Sequence, residues 1–477
     1  MGGEASRLRL TAVECFERQV ALRLPFRFGV VTLREAPQLF VRAHIRMADG
    51  REGEGISAEL LVPKWFDKSP ALSNDDNFNQ LRRSLAIAQR HAIAAGEQTA
   101  FGITASANAA HRAECAKAGL NGLVASFGQA LTERAITDAL GRLEGVSAGA
   151  LVRDNRLGIT TALTPDLDGF DLGKFLGGRK PAETIAARHT VGLVDAITRA
   201  DTAGHRLDDG LPESLEEVIA TYGQRYFKLK VGGKVDEDIE RLAQIAAVLD
   251  RDAGDYKATL DGNEQYENVD AVIALWRRMG EDKRLAKLKA SLLLIEQPIT
   301  RAEALSKPVH PLAADIAVEI DESDADFDVF PRARALGYTG ISSKSCKGFY
   351  RALLNSARVA RYNAEGGHFV MSAEDLTTQG GVAVQQDLML ATLVGATHVE
   401  RNGHHYVDGM AGAPQAEQDA FLAAHGDLYA RAANGRARLS IVKGDISLRS
   451  IAQAHGLATM VKPDWSAMKP SAAPANI

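Results

Sequence analysis

The chain is short of the features that would place it in an unusual class. Cys15, Cys115 and Cys346 are its three cysteines in 477 residues, too few and too scattered for a disulfide framework or a zinc site. No basic block or stripe stands out, and 56 Lys and Arg against 61 Asp and Glu leave a net charge of −5. That balance argues against nucleic acid as the main partner. No apolar run is long enough to span a bilayer, and the N-terminus Met1-Gly-Gly-Glu-Ala-Ser-Arg7 lacks the apolar core of a signal peptide. The expectation is a cytoplasmic protein that is neither embedded in a membrane nor bound to nucleic acid.

What is present is enough chain for a large core, either as two domains or as one large barrel with additions. Up to about residue 60 the sequence reads as strands with turn punctuation, including Leu39-Phe-Val-Arg-Ala-His-Ile-Arg46 before the turn Ala48-Asp-Gly50. Phe78 to Ala95 and Ala105 to Glu144 then carry helical periodicity. Residues 1–155 are expected to form an α+β unit. A Gly-, Asp- and Pro-rich loop follows, and across 186–404 short apolar runs alternate with amphipathic helices. The runs are Thr190–Asp195, Tyr226–Val231, Ala258–Asp261, Leu292–Glu296, Ala317–Asp321, Gly340–Lys344, His368–Ser372 and His398–Arg401. That alternation is the count of a (β/α)8 barrel. An open doubly wound sheet is the alternative, and the absence of a Gly-rich turn after the first strand counts against it. Residues 405–463 leave the pattern, and 464–477 read as a flexible tail.

The functional reading centres on Tyr226-Phe-Lys-Leu-Lys-Val-Gly-Gly233. Residues two apart on a strand share a face, so Lys228 and Lys230 emerge side by side, which is costly in a core unless they have partners. A solvated edge strand shows the same spacing. The next strands weigh against that alternative, since strand three ends in Asp261-Gly-Asn263, strand four in Glu296 and strand five in Asp321-Glu322. Lys344 ends strand six. Barrel enzymes build their sites at the C-terminal strand ends. Three converging carboxylates suit Mg²⁺, and a divalent ion beside an ammonium favours the neutral amine that a general base requires.

At these residues the chain resembles the enolase superfamily, most closely the subgroup of muconate-lactonizing enzymes, o-succinylbenzoate synthases and dipeptide epimerases. The resemblance spans essentially the whole chain. It implies an α+β capping domain on the barrel, completed by residues 405–463, and Mg²⁺ (alternatively Mn²⁺) held by Asp261, Glu296 and Asp321. Asn263 and Glu322 would support that shell. Lys230 would be the base on one face, Lys344 the base or electrostatic partner on the other, and Lys228 a binder of the substrate carboxylate. The implied activity is proton abstraction α to a carboxylate through an enediolate. It would make the chain an isomerase or lyase acting on a small carboxylic acid, with an amino-acid derivative or dipeptide epimerase favoured. A sugar-acid dehydratase and a non-catalytic binding barrel are the alternatives. The family habit implies a homo-oligomer.

The chain departs from the family pattern in having one Gly after Lys347, and Glu319 competes with Asp321 as third ligand. Lys347 is expected to begin the next helix. Ser372, Glu374, Glu400, Arg401 and Asn402 fall at the strand ends, where they would read the substrate's distal end or be solvated. His404-His405 reads as a surface pair, His368 as structural and Cys346 as a packed thiol. Phe26-Arg27-Phe28 and Gly55 to Glu59 are expected in loops over the barrel mouth, with Arg27 either at a substrate carboxylate or on the surface.

Overall fold

The computed structural model describes residues 5–28, 31–376 and 378–472. Its N-terminal unit is built on two long antiparallel strands, Arg7–Phe28 and Val31–Met47, with Glu52–Leu60 paired along the second. Alternating apolar residues of these strands turn to one face, where the helices Asn74–Ala94, Ala100–Lys117 and Gly122–Glu144 cover them. Each helix starts at a residue suited to accept its first free N–H groups: Ser73 with Asp76 in a capping box, Thr99, and Asn121. Gly145 ends the third helix in the left-handed conformation. The close approach of sheet and helix is set by Gly55, where an added Cβ would lie 2.2 Å from the backbone oxygen of Ala135.

Eight parallel strands follow: Thr184–Val191, Tyr226–Lys230, Lys257–Asp261, Leu292–Glu296, Ala317–Ile320, Gly340–Ser343, Val370–Ala373 and His398–Arg401. They are numbered one to eight below. The ladder runs continuously from strand seven back to strand one and on to strand eight, and strands seven and eight lie side by side. This is the expected (β/α)8 barrel with an α+β cap. Helices such as Val235–Asp252 and Val269–Glu281 bury one apolar face against it, through Ile239, Leu242 and Leu249 or Val272, Leu275 and Met279.

Several boundaries differ from expectation. Strand one begins at Thr184 rather than Thr190, because Arg188 and His189 interrupt its apolar run while their side chains are buried inside the fold. Phe26 to Phe28 and Gly55 to Glu59 belong to strands, not loops, and Arg27 is exposed. Asp445–Ser447 pairs antiparallel with barrel strand one, and Leu457 donates its N–H to Asp138 of the cap. Residues 464–472 are not a loose tail. Lys469–Pro470 pairs with strand Arg7–Phe28, anchored by Trp465, whose ring packs 5.0 Å from Phe16 and 5.1 Å from the Arg42 guanidinium. Residues 473–477 lie outside the described residues. No described helix is long and apolar enough to cross a membrane.

Candidate active site

Strand register sets the site. Lys230 pairs with Asp261, Asp261 with Glu296, and Glu296 with Glu319. Tilted barrel strands climb by about one residue per strand around the barrel. That climb brings Asp321, one position beyond strand five, toward the level of Asp261 and leaves Glu319 deeper. The strands thus deliver Lys228, Lys230, Asp261, Glu296, Asp321 and Lys344 to one buried place.

Their contacts are specific. Lys228 Nζ lies 2.6 Å from Glu296 Oε2, 3.0 Å from Asp261 Oδ2, 2.5 Å from Glu374 Oε2 and 3.1 Å from Glu400 Oε2. Lys230 Nζ donates to Asp261 Oδ2 at 2.5 Å. Across the mouth, Lys344 Nζ donates to Asp321 Oδ2 at 2.8 Å and stands 3.7 Å from Glu296 Oε1. Asn263 donates its side-chain N–H to Glu322 Oε1 at 3.2 Å and its backbone N–H to Asp261 Oδ1 at 2.8 Å. Both are buried next to the carboxylates they were expected to support, and Asn263 also lines the cavity that opens over the site.

Electrostatics separate the acids. Burial pushes the Asp321 carboxyl up, but Lys344, Lys347 and Lys228 outweigh it and hold the group well below the usual range. Burial wins at Glu319, with Glu374 adding to it, and raises that carboxyl to about 8. Of the two rivals, Asp321 is therefore the ionised one. Burial likewise raises Glu296, helped by Asp261 and Glu374. At Lys344 burial favours the neutral amine, but Asp321 and Glu296 hold it charged, above its ordinary value. Lys228 is held charged in the same way, against burial, by Asp261 and Glu296.

Glu296, Glu319 and Glu374 are the group of acids among the described residues whose oxygens all converge within 4.8 Å. The expected trio of Asp261, Glu296 and Asp321 is spread wider, because the ammonium groups of Lys228 and Lys344 are interleaved with it as counter-ions. The donor set still fits a hard divalent cation. It is all carboxylate oxygen, and neither oxygen of fully buried Glu296 accepts an aligned hydrogen bond.

The structure also places residues that the sequence reading weighed lightly or passed over. Lys347 does not begin a helix. It sits in the short turn Ser345–Lys347, with its Nζ 2.6 Å from Ser342 O and 3.1 Å from Asp321 Oδ1. Glu374 and Glu400 are buried on Lys228 rather than solvated, and Arg188 pairs with Glu374 from strand one. Glu374 follows an apolar strand directly, the signal used for strands three to five; Arg188 was hidden by the misplaced start of its strand. His404 and His405 are not a surface pair: both are buried next to His189, and burial keeps both neutral. His368 lies exposed ahead of strand seven, and Cys346 is buried.

A small cavity opens over these groups, with Phe26, Val62 and Trp65 from the N-terminal unit and Leu376 from the loop after strand seven as its apolar walls.

Residues 210–430 match the family model described as enolase C-terminal domain-like. A search of curated proteins gives no match. Among solved structures, the muconate lactonizing enzyme from Pseudomonas fluorescens complexed with muconolactone aligns at 17% identity, covering 97% of this chain and 98% of that one, with a TM-score of 0.58. The 2-chloromuconate cycloisomerase from Rhodococcus opacus aligns at 16% identity, covering 96% and 97%, with a TM-score of 0.57. An enolase from Bradyrhizobium complexed with magnesium and mandelic acid aligns at 16% identity, covering 96% and 97%, with a TM-score of 0.58. Residues 210–430 thus carry the enolase C-terminal domain-like module, and the chain as a whole has the fold of muconate lactonizing enzymes.

Proposed function

We propose that this protein is an enzyme that removes the proton α to the carboxylate of a small organic acid. In this reading Asp261, Glu296 and Asp321 hold Mg²⁺, and Lys230 and Lys344 flank the bound acid. The observation that carries it is the pairing of two inward lysines from strands two and six with carboxylates of the intervening strands, Lys230 on Asp261 and Lys344 on Asp321. When bound, the ion would neutralise the substrate carboxylate and stabilise the charge that develops as the α-proton leaves.

The protein's own groups do the rest. Lys230 takes the proton on one face. Lys344, held charged by Asp321, acts on the other face as proton donor or electrostatic partner. Lys228, held charged by the surrounding acids, orients the substrate carboxylate. The cap keeps bulk water out, and buried Trp65 forms part of the roof.

Two of the structural neighbours carry muconolactone or mandelic acid, which supports a small carboxylic acid as the substrate class here. Lysines on both faces permit racemisation or epimerisation without requiring it, since the second can serve cycloisomerisation or dehydration as an electrostatic partner. The walls of Phe26, Val62, Trp65 and Leu376 suit an amino-acid derivative or dipeptide better than a polyhydroxylated sugar acid. The test is proton NMR in D₂O of a library of dipeptides, N-acyl amino acids, sugar acids and muconate-type acids, with enzyme and Mg²⁺. Loss of an α-proton resonance in one class, abolished by EDTA, is the expected result. Silence throughout, with no Mg²⁺ binding, would remove the catalytic reading.

A further inference from the structure

The segment between strand Glu52–Leu60 and helix Asn74–Ala94 has no regular secondary structure, yet Trp65 and Phe66 within it are buried. The Trp65 ring lies 5.3 Å from Lys344 Nζ. Part of what holds the segment belongs to the cap itself: Asn121 donates to Phe66 O at 3.0 Å, and the Phe66 ring packs edge-on against Phe127. The tie to the barrel is different in kind. Arg301, beyond strand four, donates from Nη2 to Trp65 O and from Nη1 to Phe66 O, both at 2.9 Å. The same guanidinium is gripped by Glu264, which accepts from Arg301 Nε at 2.9 Å and from Nη2 at 2.8 Å. Lys68, from the segment itself, closes on Glu264 and donates to Asn263 O at 2.9 Å.

We propose that Arg301 and Lys68, closing together on Glu264, form a clasp that fixes the Trp65 segment over Lys344, which makes Arg301 a positioning residue for the site. The backbone supports this reading. Asn263 and Glu264 have φ of 40° and 68°, and neighbouring Gln297 has φ of 31°, a conformation side-chain-bearing residues rarely adopt. Such backbone persists only where surrounding contacts hold it, and here it turns Glu264 toward Arg301 and Lys68. The clasp leaves the strand three end only three residues after Asp261, so the roof and the row of carboxylates share one short loop. Lys68 also stands 3.5 Å from Glu322 Oε1, next to Asp321.

The consequence for catalysis rests on the function proposed above; the clasp itself does not. The test uses the full chain with Trp276→Phe and Trp465→Phe, leaving Trp65 as the single indole of three. Adding Arg301→Gln should raise acrylamide quenching of Trp65 about threefold and move its emission to longer wavelength, with far-UV circular dichroism unchanged. Arg301→Lys, which keeps the charge but loses the fork that reaches two carbonyls, should fall between. Lys68→Met provides a second, partly exposed position should Arg301→Gln fail to fold, and should increase quenching in the same direction. On an acid that the parent protein exchanges, Arg301→Gln should raise KM with kcat little changed. Unchanged quenching in folded Arg301→Gln and Lys68→Met proteins would overturn the clasp. Absence of exchange in the parent protein would instead remove the proposed function, leaving the quenching result to decide the clasp alone.

Discussion

Lys228 Nζ stands 2.6 Å from Glu296 Oε2 inside the barrel, an ion pair between strands two and four with both side chains about 1% exposed. The Lys228 ammonium is compensated by Asp261 and the acids around it in a place where it is not tolerated alone. Lys228 pairs with four carboxylates at once, so it is the electrostatic keystone of the site, beside the substrate-orienting role proposed for it.

Replacing Lys228 by Met should therefore destabilise the protein in EDTA by roughly 3–5 kcal/mol, the scale of a buried pair that loses one partner. Mg²⁺ should restore more stability to the variant than to the parent, since the acids Lys228 compensates include two of the proposed ligands. Urea unfolding in EDTA and in Mg²⁺ measures both effects. Equal stability of parent and variant in EDTA would contradict the assignment.

The seam between cap and barrel carries a pH dependence of its own. Glu133, on helix Gly122–Glu144, accepts from Phe349 N at 2.9 Å and from Tyr350 N at 3.4 Å, at the start of helix Phe349–Ala364. Burial raises its carboxyl to about 7 despite those donors. Below the ordinary value of 4.5 the folded and unfolded states are both protonated. Between there and about 7 only the folded state keeps the proton, so Glu133 lowers stability as pH rises through that window. The whole effect is on the order of 3 kcal/mol. Glu133→Gln removes the titration, and its unfolding free energy should fall less steeply than the parent's from about pH 5 to 7. Identical slopes would exclude Glu133 as the source.

Gly55 controls how the cap presents itself to the barrel. An added Cβ would meet Ala135 O and Ala139 N at 2.2 Å, both backbone atoms of a helix that cannot yield cheaply. Gly55→Ala should cost about 3 kcal/mol. The same strand ends near Glu59, which accepts from Ser345 Oγ at 3.1 Å, the residue after Lys344. Proton exchange should consequently weaken in the variant even where it remains folded.

Much of this was legible in the sequence because barrel strands are short apolar runs that end abruptly, and Asp261, Glu296 and Asp321 each follow such a run. The interior lysines were readable from the period of two. Strand one was misread because Arg188 and His189 look like surface residues, and only the fold shows that Arg188 pairs with Glu374 and that His404 and His405 pack beside His189. Lys347 was assigned to a helix because local spacing cannot show a turn that folds its ammonium back onto Asp321. The tail was called loose on composition, which carries no sign that Trp465 finds Phe16 and Arg42 across the whole length of the chain. Trp65 gave no local signal at all, since its role depends on Arg301 from the other unit.

The most direct test of the account is α-proton exchange in D₂O, with the responsive acid supplied as each enantiomer to the parent, Lys230→Ala and Lys344→Ala proteins. Each variant should slow exchange by about 100-fold or more from at least one enantiomer while still binding Mg²⁺. Exchange at the parent rate from both enantiomers in either variant would contradict the assignment of that lysine and, with it, the two-faced site.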